Sequence, residues 1–345
     1  AAPRLGLSCL TRHEQGFFSV DGVYRSFDRS VAQRIRRAEN LRAVYTVEDC
    51  ALETFGVARD RGWHCFYDLP IGYWRAGQAI YREEAEREPA WASTLGGMRD
   101  SEAKLKRKDG ELELANTVFV ASSFTRRTLE LAPKPPAEVH VIPYGAPAPV
   151  AQPSTHTGKL RVLFVGALGQ RKGLSYLLEA MRQLGNAAEL TLLGRKTSEN
   201  CETLNAATSA HRWIPSLPNE EVLAEMERHD VLVFPSLFEG FGLVIFEAMS
   251  RGLPVITTAH TAGPDVIREG ENGFIVPIRS ATALAEKLEC LATDRARLAD
   301  MKHAALATAR AFTWETYRRR LGEVVLREMA TEISDLPGGA AALKP

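Results

Sequence analysis

Two short apolar runs, 231–236 and 254–258, bracket a glycine-bearing elbow and a helical segment, and this block constrains the fold more than any other part of the chain. Runs that are apolar at nearly every position suit strands buried on both faces, and a helix between two of them makes a parallel crossover unit. The elbow and helix read Leu237-Phe238-Glu239-Gly240-Phe241-Gly242-Leu243-Val244-Ile245-Phe246-Glu247. The spacing predicts Glu239 at the mouth of the helix and Glu247 two turns inside it, roughly 12 Å apart along the axis. Between the two acids, the backbone N–H groups of Gly240, Phe241, Gly242 and Leu243 are expected at a helix N-terminus, where the macrodipole favours phosphate charge. Two glutamates eight residues apart carry little alone; the signal is the pair inside this block.

The same alternation runs through the second half. Strand-like runs at 160–167, 188–194, 212–216 and 273–277 add further strands, most of them separated by helical patterns such as 172–184, 219–228 and 243–251. Apolar strands alternating with amphipathic helices predict an α/β domain with a parallel sheet covered on both faces. Ligands bind such sheets beyond the carboxyl ends of the strands, where 166–173 and 239–243 both fall. The first half is less regular, with strands expected at 43–46, 64–67, 117–121 and 139–142. Helices are expected there at 25–37, 52–61, 74–87, 102–115 and 124–131. The expected division is a first domain over 1–147, a Pro- and Ala-rich linker over 148–159, a second domain over 160–313, a helix over 314–330 and a loose tail over 331–345.

A chain of 345 residues has room for two cores. Basic and acidic residues number 43 each, so no net field points to nucleic acid. Five scattered cysteines without a CxxC pair suit a reducing compartment, and the eight histidines show no metal-ligand spacing. No apolar run reaches the length of a membrane span and nothing reads as a signal peptide, so the expectation is a soluble cytoplasmic protein.

The block at 237–256 resembles the E-x7-E signature of retaining GT-B glycosyltransferases, specifically glycosyltransferase family 4 (glycosyl transferases group 1). Val162-Leu163-Phe164-Val165-Gly166-Ala167-Leu168-Gly169-Gln170-Arg171-Lys172-Gly173 resembles the first strand and phosphate loop of that family's donor domain. Gly263-Pro264-Asp265-Val266-Ile267-Arg268-Glu269-Gly270-Glu271-Asn272-Gly273-Phe274 resembles the loop and strand after its donor-site helix. Together these cover most of 160–317, whereas the first half is similar only loosely. The resemblance implies a GT-B fold, two Rossmann-like domains with parallel sheets facing an interdomain cleft, with 314–330 crossing back to the first domain. It also implies transfer of a hexose from a nucleotide diphosphate sugar to a hydroxyl acceptor, with retention and with neither cofactor nor metal. The acceptor is expected to be a sugar, a lipid-linked molecule or a small molecule, and the setting glycan or polysaccharide biosynthesis.

On this reading Glu239 contacts the transferred sugar, Glu247 the ribose hydroxyls, and Lys172 the diphosphate. The family's usual Arg after the strand glycine is Ala167 here, so Arg171 is expected to supply that charge. Glu239, Lys172 and Arg171 form the catalytic set; Gly166, Gly240, Phe241, Gly242, Leu243, Glu247 and Arg195 line the donor side. On the acceptor side, Asp68 stands about where many relatives carry a His, and Tyr73 and Trp74 follow in a Pro/Gly/aromatic loop expected to face the cleft. The family's first domain usually opens with a strand and a glycine loop, whereas the first convincing strand here is 43–46. The opening unit therefore reads as missing or divergent, which keeps open a non-catalytic or truncated nucleotide-sugar-binding protein. An NAD-dependent oxidoreductase is disfavoured, because Gly166-Ala167-Leu168-Gly169 is not a GxGxxG elbow. Arg25, Arg29, Arg34, Arg36, Arg37 and Arg42 gather basic charge that reads as a solvated helix face, with weak membrane-surface association, peripheral at the inner membrane face, as the functional alternative.

Overall fold

The computed structural model describes residues 8–96 and 100–334. It contains two parallel sheets. The first has four strands, β1 (Ala43–Val47), β2 (His64–Leu69), β3 (Thr117–Val120) and β4 (Glu138–Val141), in that spatial order. The second has β5 (Leu160–Val165), β6 (Ala188–Leu193), β7 (Arg212–Ile214), β8 (Val231–Phe234), β9 (Val255–Thr258) and β10 (Gly273–Val276), ordered β10-β9-β8-β5-β6-β7. Among the described residues no strand precedes Ala43, and β1 is a sheet edge.

In the second sheet, successive side chains of a strand enter opposite layers. On β5, Leu160, Val162 and Phe164 pack under the helices Leu174–Leu184 and Ala281–Thr293. Leu163 points the other way, towards Val244–Ser250 and Arg295–Ala311. Both layers need apolar side chains, which is why β5 and β8 are apolar at nearly every position. The first sheet buries Cys65, Tyr67 and Leu69 on one face, towards the helices Val20–Ile35 and Leu52–Asp60. Its other face, Phe66, Phe119 and Ile142, is covered by the helix Trp314–Ser334 through Tyr317, Leu321, Val324, Val325 and Met329. Those five repeat at helical spacing and form one apolar stripe.

Two expected boundaries move. The helix expected from residue 25 begins at Val20, where Ser19 Oγ caps it by accepting from Gly22 N at 2.9 Å. Its earlier turns are hidden from a pattern reading because Val20, Val23 and Phe27 are exposed, so no apolar face marks the start. The tail expected from 331 continues the last helix to Ser334; residues 335–345 lie outside the described residues.

The segment expected as a linker is strapped to the second domain. Val150 N bonds Ser250 O at 3.0 Å, Arg310 reaches the carbonyls of Val150 and Ala151, and Lys302 reaches that of Ser154. The chain crosses between domains twice at one place, where Ala146 bridges Thr313.

Each domain also inserts a large ring into the other. Trp91, from the 3-10 segment Pro89–Thr94 after the first-domain helix Trp74–Arg87, is buried in the core of the second domain. Phe238 is buried against Tyr81 and Phe124 of the first domain, edge-on to both rings. Replacing Phe238 by Ala is therefore expected to cost about 3–5 kcal/mol of stability. The check is equilibrium urea unfolding, and an unchanged midpoint would show that the ring does not anchor the domains.

Candidate active site

The site forms where the loops after β5 and β8 meet the first domain. After β5 the chain makes a 3-10 turn, Gln170–Lys172, that presents Arg171 and Lys172. After β8 the chain runs through Ser236 to Glu239, and there the two loops join. Lys172 Nζ and Arg171 Nη1 both bond Glu239 Oε1, and Ser236 Oγ donates to the same oxygen at 3.3 Å. Arg171 also donates to Phe238 O at 2.9 Å, and Lys172 Nζ sits 4.5 Å from the Phe234 ring centroid.

Two cations and one carboxylate thus share a nearly dry site and leave one positive charge in excess. Burial pushes the Glu239 carboxyl up, but Lys172 and Arg171 outweigh it and hold the group below its usual range. Burial pushes Lys172 down to about 8; Glu239 opposes the shift and Arg171 adds to it.

The expected helix geometry needs correction. The helix after the elbow is Val244–Ser250, so Glu239 lies in the loop ahead of it and Glu247 in its first turn. The reason lies outside the elbow. Phe238 is plugged into the first domain, and the Gly240 carbonyl accepts from Ser122 Oγ and from Thr125 Oγ1, the latter at 2.9 Å. A Cβ on Gly240 would overlap the Pro70 carbonyl oxygen, so only glycine lets the two domains touch here. The chain can turn into the helix only after Gly242, at φ +85°. Gly240 therefore serves the domain interface, while Phe241, Gly242 and Leu243 line the cleft. The first amide bonded within the helix is Ile245 N, to Gly242 O, so the preceding amides are the orphan donors of the helix start.

The cleft has a volume of about 570 Å³ and runs between the domains. Gly166, Lys172, Glu239 and Glu247 border it from the second domain, and Pro70 and Tyr144 from the first. Glu247 is half-buried and accepts from Asn219 Nδ2 at 3.3 Å; burial raises its carboxyl. Arg195 lies outside the cleft wall: its side chain is exposed, and its carbonyl accepts from Leu168 N at 2.8 Å.

On the first-domain side, Asp68 is the penultimate residue of β2, two residues before Pro70, and accepts from Tyr45 OH at 2.8 Å. Burial raises its carboxyl against that hydrogen bond. Tyr73 and Trp74 are turned away from the cleft. The Tyr73 hydroxyl and Trp74 Nε1 both donate to Asp109 Oδ1, the latter at 2.7 Å, and Tyr73 is buried in the first-domain core. A buried Tyr or Trp needs a partner for its polar tip, and Asp109 on the helix Glu102–Leu114 supplies it. The aromatic wall of the cleft comes instead from Tyr144 and Trp314, whose rings stack at 5.9 Å. Sequence reasoning passed over both. The available signal was Pro143-Tyr144-Gly145 directly after β4, an aromatic at a strand's carboxyl end. Among the described residues, His13, Glu14 and Asp100 can bring ligand atoms within 4.8 Å of one another, and none of the three borders the cleft.

Residues 150–308 match the family model of glycosyl transferases group 1. This segment is similar to the glycosyl transferases group 1. The chain is similar to glycogen synthase of Mycobacterium tuberculosis, 28% identical over 276 residues, which is 76% of this chain and 64% of that protein. The chain thus spans less than two thirds of the length of that relative. It is also 33% identical over 156 residues to the putative colanic acid biosynthesis glycosyltransferase WcaL of Escherichia coli, covering 41% of this chain and 38% of that protein. Among solved structures, sucrose-phosphate synthase from Thermosynechococcus elongatus superposes with a TM-score of 0.72 at 20% identity, covering 92% of this chain and 82% of that one. HepE of Anabaena, solved with UDP and glucose, gives 0.67 at 16% identity, covering 90% and 84%. The fold is GT-B, as the sequence resemblance implied.

Depressed Lys172 sets a pH test. Between about 8 and 10.5 the unfolded chain holds a proton that folded Lys172 has released, so this group's contribution to stability rises with pH across that window. Lys172→Met is expected to remove the rise. Urea midpoints across the window check this, and parallel profiles for the two proteins would show that Lys172 is not depressed.

Proposed function

We propose that the chain is a retaining glycosyltransferase that moves a hexose from a nucleotide diphosphate sugar to a hydroxyl acceptor, without a bound metal. The observation that carries the reading is the meeting of Arg171, Lys172 and Glu239 at the interdomain cleft, with Glu247 bordering the same cleft. Glu239 bonds both cations. An incoming diphosphate takes them over, and Glu239 turns to the hydroxyls of the sugar, whose vicinal O–H groups a carboxylate accepts well. As the bond from the anomeric carbon to the phosphate oxygen breaks, charge builds on the leaving diphosphate. Lys172 and Arg171 stabilise that charge in the role a metal would otherwise fill. The acceptor oxygen forms its bond to the anomeric carbon on the same face, and its proton passes to the departing phosphate. The orphan amides ahead of Ile245 face phosphate oxygens, and Glu247 takes the ribose. Asp68 orients the acceptor against the Tyr144 and Trp314 wall.

The relatives support this direction. The similar proteins include a glycogen synthase and a colanic acid biosynthesis glycosyltransferase, and HepE was solved with UDP and glucose. Glycan or polysaccharide assembly is the corresponding setting.

The test is a panel of UDP-, GDP- and ADP-sugars, read by calorimetry and by nucleotide release. One donor is expected to bind and to release its nucleotide slowly. Lys172→Ala is expected to slow release by roughly 10²–10³-fold through lost leaving-group stabilisation. Glu239→Gln should bind the free nucleotide but lose turnover. Binding without release in the wild type, across an acceptor screen, would favour a donor-binding protein that does not turn over.

A second reading concerns location. No helix among the described residues is long and apolar enough to cross a membrane. However, Phe17, Phe18, Val20, Val23 and Phe27 are exposed beside the arginines of 25–42, a combination that suits the interface of an anionic bilayer. Cosedimentation with vesicles containing anionic phospholipid is expected for the wild type and lost in a Val23→Glu/Phe27→Glu variant. Wild-type protein left in the supernatant would rule out this docking.

A further inference from the structure

The turn that carries Arg171 and Lys172 is held from the other domain. Glu84, on the first-domain helix Trp74–Arg87, is fully buried, and the donors to its carboxylate come from the second domain. Its Oε1 accepts from Gln170 Nε2 at 2.7 Å and from Tyr176 OH at 2.8 Å, and its Oε2 accepts from Arg279 Nε at 2.7 Å. Gln170 is itself fully buried, and its backbone N–H donates to Thr94 Oγ1 of the first domain at 2.9 Å. Gln170 opens the 3-10 turn whose next two residues are Arg171 and Lys172. On its far side the turn is tied down by Leu237 N, which donates to Arg171 O at 2.9 Å.

We propose that Glu84 is a positioning residue of the donor site: its carboxylate, buried between the domains, fixes Gln170 and thereby sets where Arg171 and Lys172 point. The inference rests on the donor-site reading above. A carboxylate is required because both oxygens must accept, one from an amide and a phenol, the other from a guanidinium. With glutamine in its place, the one remaining oxygen stays with the charged Arg279 guanidinium, so the new NH₂ group meets the Gln170 NH₂ donor to donor and one buried donor is left without a partner. Shape is nearly unchanged, but the grip on the turn is lost. Displacing catalytic charges by about an ångström is enough to cost large factors in binding and rate. Glu83, on the same helix, bonds the same guanidinium at 2.8 Å from an exposed position and serves as the control, because exposed ion pairs contribute little.

The experiment is a double-mutant cycle on nucleotide binding. UDP, GDP and ADP are titrated into wild type by calorimetry, and the best binder is carried forward to Glu84→Gln, Lys172→Ala and the double variant, each up to millimolar ligand. Glu84→Gln is expected to weaken binding by roughly tenfold or more in the wild-type background and less than about threefold beside Lys172→Ala, since the loss then has no ammonium to act through. Glu83→Gln should bind as wild type does. Wild-type affinity in Glu84→Gln, or an equal penalty in both backgrounds, would make Glu84 a plain interdomain contact and overturn the proposal. Should Glu84→Gln not fold, Tyr176→Phe removes one donor to the same carboxylate and is read by the same cycle against the same two outcomes. If the wild type binds none of the three nucleotides, the donor-site reading itself fails, which the cycle separates from failure of the Glu84 role.

Discussion

Lys172 is taken out of water beside the half-buried Arg171, and Glu239 is what makes that tolerable. The two cations repel each other and Lys172 loses hydration; without the carboxylate between them its buried charge would stand uncompensated. The three groups come from two loops, so their meeting fixes the loop after β5 against the loop after β8. Everything else about the cleft follows from this. Phe234 lies under the ammonium, Ser236 donates to the shared carboxylate oxygen, and the chain beyond Glu239 must pass the first domain before it can enter its helix.

The first domain contributes more than a wall. Ser122 and Thr125 hold the Gly240 carbonyl, Gly72 N bonds Glu239 O at 3.3 Å, and Ser123 N bonds Asp265 at 2.9 Å. Phe124 stacks on His260 at 4.7 Å. These contacts fall on the loops that carry the site rather than on the backs of the domains. The position of the charged triad and the docking of the two domains are therefore one structural fact seen from two sides.

The second sheet was legible because its inner strands are buried on both faces and are apolar at nearly every position, which separates them from the helices. That Lys172 and Glu239 lie at strand ends was legible because the loops after β5 and β8 keep their local spacing; that the two side chains meet was not. The failures share one cause, which is that the partner is far away in sequence. Gly240 was read as a ligand contact because glycine permits close approach; it does, but what approaches is Pro70 of the other domain. Tyr73 and Trp74 follow a loop of the right composition, yet they open the helix Trp74–Arg87 and Asp109 on a helix some 35 residues on claims both polar tips. Arg195 follows a strand in the second domain, and nothing local reveals that it stays exposed outside the cleft wall.

The double crossing at Ala146 and Thr313 gives the molecule an unequal anatomy. The first sheet is sealed by a helix drawn from the far end of the described chain, so the second domain is in effect an insert, entered and left through neighbouring strands of backbone. A body tethered at two adjacent points swings like a door on a hinge pin. Tyr144 and Trp314 stand at the pin, where any swing moves them least, whereas the carboxylate of Glu84 and the ring of Trp91 act as the latch that holds the door shut.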